Sequence, residues 1–375
     1  MIGLYVHIPF CKHICSYCDF YKMVVSKQLQ KKTIDYIIKE MDLRNISQYN
    51  FSTIYIGGGS PSSLDDELFD YFLFNLAQRT KKSLIKEFSI EFNPEDITLS
   101  KVLILKKYNV NRISIGVQSF NEKIIKKLGR NPFVNKMELE SKIALLNQVG
   151  ITNINVDLIY AVDRQTLDMV NNDITQLLSL NITHLSCYAL ILEDHTILNY
   201  QHHQGLYHCI NDELDEAMYV LINKKCQAAG FEQYETSNYA LKGFYSKHNL
   251  LYWHNESYLG IGPSAASHID NIRFTNIDKL ESYFKGIDDN SFNYKEYYEE
   301  TTQDNLETTL MLGLRLSKGI SEQEYFVKCK KNLIDAFPKI LNLINEGLLK
   351  RENGFIYIPS KYSYIANYII VKIIS

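Results

Sequence analysis

Six times along the first half of the chain, a short apolar or alternating run is followed by a longer stretch with helical periodicity. That alternation is the signature of repeated βα units, in which each helix is the crossover joining neighbouring parallel strands. The predicted strands are Ile2 to Ile8, Thr53 to Ile56, Glu87 to Phe92, Arg112 to Val117, Asn153 to Tyr160 and His184 to Leu190. Helices are predicted near Lys27 to Arg44, Leu64 to Gln78, Ser100 to Lys107, Asn121 to Leu128 with Lys136 to Val149, and Thr166 to Leu180. A further helix from about Asp212 to Ala229 leads into extended residues Glu232 to Ala240, where the sheet extends or closes. Parallel α/β sheets place their functional loops at the C-terminal ends of the strands.

At 375 residues the chain exceeds a usual single core, although α/β barrels run past about 250 residues as one domain. Asn276 to Asp304 is rich in Asp, Asn, Tyr and Lys and is expected to be a surface connection, separating a domain at 1–290 from a small one at 300–375. Leu306 to Leu316, Ser321 to Cys329 and Leu333 to Glu346 read as helices. Leu348 to Lys350 and Phe355 to Ile358 read as a hairpin around Asn353-Gly354, giving a winged-helix-like module. Lys328, Lys330, Lys331, Lys350 and Arg351 offer it a basic face. Charge runs of that size are ordinarily solvated, so a docking or lid domain is favoured over a nucleic-acid binder. A net charge of −3 agrees with that preference. With 46% hydrophobic residues and no apolar run of about 18 residues, a soluble cytoplasmic protein without a transmembrane segment is expected. Cys187, Cys209, Cys226 and Cys329 are scattered singly and are assigned no role.

Cys11, Cys15 and Cys18 follow the first strand directly. A zinc site would draw a fourth ligand from His7 or His13, but zinc spacing normally adds a distant cysteine pair, and the sequence has none. Disulfides call for an oxidising compartment, and no signal sequence precedes these residues. Simple packing seldom groups thiols so closely. Three thiolates on one short loop suit three irons of a 4Fe-4S cluster, leaving the fourth iron open to another ligand.

Gly57, Gly58 and Gly59 close the second strand beside this loop, where bare backbone lets a ligand approach and N–H groups can bind a carboxylate. Glu91, Gln118, Ser119 and Asp157 lie at the ends of later strands, where an unpaired charge is costly. Capping or an internal ion pair with Arg112 or Arg130 is the alternative for each, and as a group they favour a ligand.

Cys11-x3-Cys15-x2-Cys18 with Tyr17, and Gly57 to Pro61, resemble the signature and methionine-binding loop of the radical S-adenosylmethionine (radical SAM) family. Tyr5 to Cys11, Gly116 to Phe120, Asp157 to Tyr160 and Gly260 to Pro263 resemble the branch that holds oxygen-independent coproporphyrinogen III oxidase and the HemW heme chaperones. The resemblance implies an α/β fold, a partial (β/α)6 barrel with a small C-terminal winged-helix-like domain. It also implies a 4Fe-4S cluster on the three cysteines, with S-adenosylmethionine contacts at Tyr5, Tyr17, Gly58, Gly59, Ser60, Glu91, Gln118, Arg130, Asp157, Ala189 and Ala266.

Two departures point away from the oxidase within that branch. Phe20 stands where the oxidase carries a fourth cysteine, and no long arm precedes the first strand. His248-Asn-Leu-Leu-Tyr252-Trp253 resembles the chaperone motif, implying heme at His248, Tyr252 and Trp253. Ala265-Ala266-Ser267 departs from the Ala-His of many chaperones, with His268 close by. The implied partners are heme, S-adenosylmethionine and heme-receiving respiratory proteins, with a homodimer admissible. Porphyrinogen oxidation and a nucleic-acid role for the C-terminal module are the competing expectations.

Overall fold

The computed structural model describes residues 2–130 and 133–375. Six strands, β1 (Ile2–Ile8), β2 (Phe51–Gly58), β3 (Glu87–Phe92), β4 (Arg112–Gln118), β5 (Asn153–Tyr160) and β6 (His184–Ala189), run parallel in sequence order. The connecting helices are α1 (Lys27–Leu43), α2 (Asp66–Arg79), α3 (Leu99–Lys107), α4 (Glu122–Lys127), α5 (Lys136–Gln148) and α6 (Leu167–Leu178). Side-chain caps from Ser26, Asp65, Thr98, Asn121, Asn135 and Thr166 accept from the first free N–H groups and fix where each helix starts.

The strands alternate strictly. Leu4, Val6, Ile54, Ile56, Ile90, Ile113, Ile115, Ile154, Val156 and Leu185 face outward and are buried beneath the helices. The opposite face is polar. Tyr55, Ser89 and Arg112 align across β2, β3 and β4, and Glu91, Ser114, Asn155 and His184 align across β3 to β6. Burying such a row costs too much unless its members bond one another or a ligand, so the curved sheet encloses a polar lumen.

After β6 come α7 (Ile197–His203) and α8 (Asp212–Ala228), then β7 (Glu232–Gln233) and β8 (Asn238–Ala240), which extend the sheet antiparallel to β6. Helix α9 (Lys247–Trp253) precedes β9 (Ser257–Ile261), a seventh parallel strand set against β1. Strands β10 (Ala266–Ile269) and β11 (Ile272–Asn276) continue that side. The sheet therefore remains open, with β7 at one end and β12 (Tyr294–Glu299) at the other.

The connection expected from Asn276 to Asp304 is instead structured. It holds α10 (Leu280–Asp288), packed on α1, and β12, paired antiparallel with β11. β12 carries the first domain's sheet past residue 290, and its polar sequence reflects its place on an exposed edge.

The C-terminal residues build a separate core around Leu310, Tyr325, Ile340, Ile356 and Ile369. Its elements are α11 (Thr302–Gly313), β13 (Ile320–Ser321), α12 (Glu322–Cys329), α13 (Leu333–Ala336), α14 (Lys339–Asn345), β14 (Lys350–Glu352), β15 (Phe355–Tyr357) and α15 (Ala366–Ile374). Pro338 breaks the single helix expected from Leu333 to Glu346 into two. Among the described residues no helix is long and apolar enough to cross a membrane.

Candidate functional site

The loop after β1 is fastened at several points. Phe10 bridges Met23, with Cys11 N donating to Met23 O at 2.9 Å and Met23 N to Pro9 O at 2.7 Å. Ser16 N donates to Leu128 O, and Leu198 N to Ser16 O, each at 2.9 Å. Lys12 pairs with buried Asp96, whose other oxygen accepts from Ser62 Oγ at 2.8 Å. The loop is thereby held against β2, α4 and α7, and all three cysteines face one cavity of about 500 Å³.

Each glycine after β2 makes room for a particular neighbour. A Cβ on Gly57 would stand 2.9 Å from the Glu91 carboxyl, and one on Gly58, at φ +118°, 2.9 Å from the His7 ring. A Cβ on Gly59 would meet Phe10 O at 2.8 Å and Cys11 Sγ at 3.0 Å. The donor role expected for this loop needs correction, because its N–H groups are already engaged. Gly58 N donates to Glu91 Oε2 at 3.2 Å, Gly59 N to Ile8 O at 2.9 Å and Ser60 N to Phe10 O at 2.7 Å. These bonds seat the cysteine loop, and what the glycine loop retains for a ligand is acceptors suited to an amino group.

Glu91, Gln118, Arg130, Asp157, Ala189, Tyr17 and Ser60 line the same cavity. Asp157 accepts from Asn155 Nδ2 at 2.8 Å and Ser114 Oγ at 3.3 Å, and burial raises its pKa above the ordinary carboxylate range. Arg130 bonds Tyr17 and donates to Asn93 Oδ1 at 2.8 Å; Asn93 in turn donates to Ser60 Oγ at 2.9 Å. At β4 the pairing register slips between Gly116 and Gln118, and Gln118 adopts φ +70°. Such a bulge re-aims a side chain at a cost. The Gln118 Oε1 and Arg112 Nε atoms are buried without partners.

Those unpaired atoms, beside the half-buried carboxylates Glu91 and Asp157, fit a polar organic ligand with hydroxyl and amino groups. The thiols fit a polynuclear metal centre. Burial, together with Cys18 and Cys15, pushes Cys11 up to about 12, so its thiolate needs a cationic centre beside it. Among the described residues no three Cys, His, Asp or Glu side chains gather around one point as ligands of a single ion do. Thiolates that each hold a different iron of a cluster stand farther apart.

Glu91 is pushed up to about 7, mainly by burial, against bonds from the Tyr55 hydroxyl at 2.8 Å and from Gly58 N. Between the ordinary value of 4.5 and about 7 the native state therefore keeps a proton that the unfolded chain releases. Stability consequently falls as pH rises through that window. In Glu91→Gln the amide oxygen can accept from Gly58 N while its NH₂ donates to Tyr55, so the variant is expected to flatten the fall by about 1.4 kcal/mol per pH unit. Urea unfolding at a series of pH values measures this, and an unaltered slope would show that Glu91 ionises freely.

Other expected site residues lie apart from this cavity. Tyr5, Tyr252 and Ala266 line an adjoining hollow, which shares Phe20 with the cavity. There the His7 Nε2–H donates to Tyr21 O at 2.8 Å, so its Nδ1 accepts from the Tyr5 hydroxyl at 3.0 Å. Trp253 lines a third recess, beside the C-terminal domain. His248 is wholly buried, its ring nitrogens 2.7 Å from Thr53 Oγ1 and 2.8 Å from the Tyr252 hydroxyl. Ser119 faces away from the ligand space and bonds Asp173 at 2.6 Å. Tyr55, Asn93, Ser114 and Asn155 escaped the sequence reading. The recurrent polar–apolar alternation of β2 to β6 marks three of them, and Asn93 lies just past β3.

The radical SAM superfamily model matches residues 5–177. Over 373 residues the chain is 35% identical to heme chaperone HemW of Bacillus subtilis (strain 168), covering 98% of this chain and 97% of that one. Heme chaperone HemW of Lactococcus lactis subsp. lactis (strain IL1403) is also 35% identical, over 369 residues, covering 98% and 96%. Coproporphyrinogen III oxidase (HemN) from Escherichia coli, a radical SAM enzyme, superposes with a TM-score of 0.85 over 100% of this chain and 90% of its own, at 20% identity. At that identity the likeness speaks for the fold alone.

Proposed function

Because this chain belongs to the radical SAM superfamily and, within it, to the HemW family, we propose that it is a cytoplasmic heme chaperone. In this reading it holds a 4Fe-4S cluster and S-adenosylmethionine and delivers heme to respiratory hemoproteins. Identity of 35% over nearly the full length to two heme chaperones carries the reading. Phe20, 60% exposed at the cavity mouth in the oxidase's fourth-cysteine position, supports it further.

Cys11, Cys15 and Cys18 hold the cluster. Glu91 and Asp157 would accept from hydroxyl or amino groups, Gln118 Oε1 would gain the partner it lacks, and Arg130 braces Tyr17 in the cavity wall. When bound, cluster and S-adenosylmethionine supply one-electron cleavage of a sulfonium. The polar lumen keeps the ligand's charged end compensated.

Two assays on the anaerobically reconstituted full chain test the proposal. Titration with hemin is expected to saturate at a defined stoichiometry, and mixing with an apo-hemoprotein to transfer the heme. Incubation with coproporphyrinogen III, S-adenosylmethionine and a reductant is expected to give no multiple turnover. Sustained protoporphyrinogen formation would overturn the chaperone reading in favour of the oxidase. The nucleic-acid alternative is weakened by its basic residues, since Lys328 is occupied at His254 O and Arg351 pairs with Glu322 at 2.9 Å.

A further inference from the structure

Arg112, the first residue of β4, lines the lumen with only 2% of its surface exposed. Its guanidinium has no hydrogen-bond, ion-pair or aromatic partner among the described residues, and the Nε atom is closed off from solvent. The ion pair open to Glu91 or Asp157 on sequence grounds does not form. Glu91 accepts instead from Tyr55 and Gly58 N, and Asp157 from Asn155 and Ser114, so Arg112 acts on both only through space. Glu87, at the start of β3, is committed to α9, where it accepts from Lys247 N at 2.7 Å and His248 N at 3.1 Å. A buried lysine could shed its proton, but a guanidinium cannot at any ordinary pH. Holding that charge uncompensated is costly.

The cavity runs from the cysteine loop to Arg112. Gln118 closes the same strand six positions on, so at about 3.3 Å per residue the Cα atoms of the two lie roughly 20 Å apart. The unpaired atoms at the two ends of β4 therefore call for different ligand groups. The other lysines and arginine lining the cavity are engaged beside the cysteine loop, Lys12 with Asp96, Lys22 with Cys18 O, and Arg130 with Tyr17 and Asn93. On the far side, Arg112 lies near enough to α9 to act on the His248 ring. Asn249 of that helix also lines the cavity, and its side-chain amide has no partner among the described residues.

We propose that Arg112 anchors a second ligand subsite on the lumen floor, one row of the sheet below Glu91, where it takes the carboxylate of a small organic acid. The planar guanidinium matches a carboxylate with two parallel hydrogen bonds. One cation with Glu91 and Asp157 close by suits a single negative charge rather than a phosphate dianion. The subsite requires neither heme carriage nor radical chemistry.

Full-length wild type, Arg112→Gln and Arg112→Lys would be unfolded thermally in sodium propionate, sodium phosphate and sodium chloride at matched ionic strength. Wild type is expected to show a saturable rise in midpoint in propionate over chloride. Arg112→Gln is expected to show no such rise, and to unfold at a higher midpoint than wild type in chloride because the uncompensated charge is gone. Arg112→Lys keeps the charge without the fork and is expected to respond more weakly. After anaerobic reconstitution, Arg112→Gln is expected to keep its affinity for S-adenosylmethionine to within about tenfold. A greater loss, the size of a charge-assisted hydrogen bond, would move Arg112 to that ligand and overturn the proposal. So would the absence of a rise in wild type, or equal rises in wild type and Arg112→Gln. A lower midpoint of Arg112→Gln in chloride would overturn it too, by showing that Arg112 braces Glu91 and Asp157. A larger rise in phosphate than in propionate would overturn the carboxylate assignment.

Discussion

Replacing any one of Cys11, Cys15 and Cys18 with alanine is expected to remove most of the iron and sulfide that the protein retains after anaerobic reconstitution, together with the visible sulfur-to-iron absorbance. On the proposed reading each thiolate holds a separate iron, so two cannot do the work of three. His13 and Asp19 line the same cavity but are harder donors than a thiolate. The apo fold is expected to tolerate the change to within about 0.5 kcal/mol, because all three side chains are only half-buried and lie on a loop whose fastening is backbone. Iron and sulfide analysis beside urea unfolding of the apo variants separates the two effects. A variant that keeps a full complement of iron would show that its thiol is not a ligand.

Gly59→Ala is expected to act on both quantities at once. The new methyl group would meet Phe10 O, the Pro9 carbonyl carbon and Cys11 Sγ, all within 3.0 Å, and two of those atoms are backbone that cannot swing aside. Relief requires pushing the cysteine loop off β2, which breaks the bonds from Gly59 N to Ile8 O and Ser60 N to Phe10 O. A cost of about 3 kcal/mol is expected, at the upper end for overpacking, along with a marked fall in iron retained. Gly243→Ala is the control. Its φ of +93° strains any side chain, but nothing lies within 4 Å, so a cost of about 1 kcal/mol with unchanged iron binding is expected. Equal losses in the two variants would mean that backbone strain, rather than the seating of the loop, explains Gly59.

The six βα units were legible because alternation in β2 to β6 is strict and each crossover helix starts at a side-chain cap. β12 was illegible because Tyr-Lys-Glu-Tyr-Tyr-Glu carries no fully buried side chain. As an edge strand it packs only through Tyr294 and Tyr297, which meet Phe274 of β11, and so small a covered face imposes no alternating pattern. The cysteines stand out by their spacing, and one short loop brings all three to the same cavity. The glycines were recognisable as a tight approach, but what approaches them is set by partners 33 and more residues away in sequence, such as Glu91. The His248 motif shows the same limit. Its residues announce an imidazole near aromatics, yet whether that imidazole meets a ligand or Thr53 depends on how deeply α9 sinks against β1 and β2.

The two ends of α9 are held by different domains, Glu87 of β3 at one and Lys328 of α12 at the other. During synthesis the strand arrives long before the lysine, and domains generally fold as they emerge. A barrel with its cysteine loop seated therefore exists on the ribosome while the last turn of α9 is still uncapped and the cleft beside it lacks a wall. Completion of the polypeptide thus sets the last turn of α9, which Lys328 can fasten only once the second domain has been made.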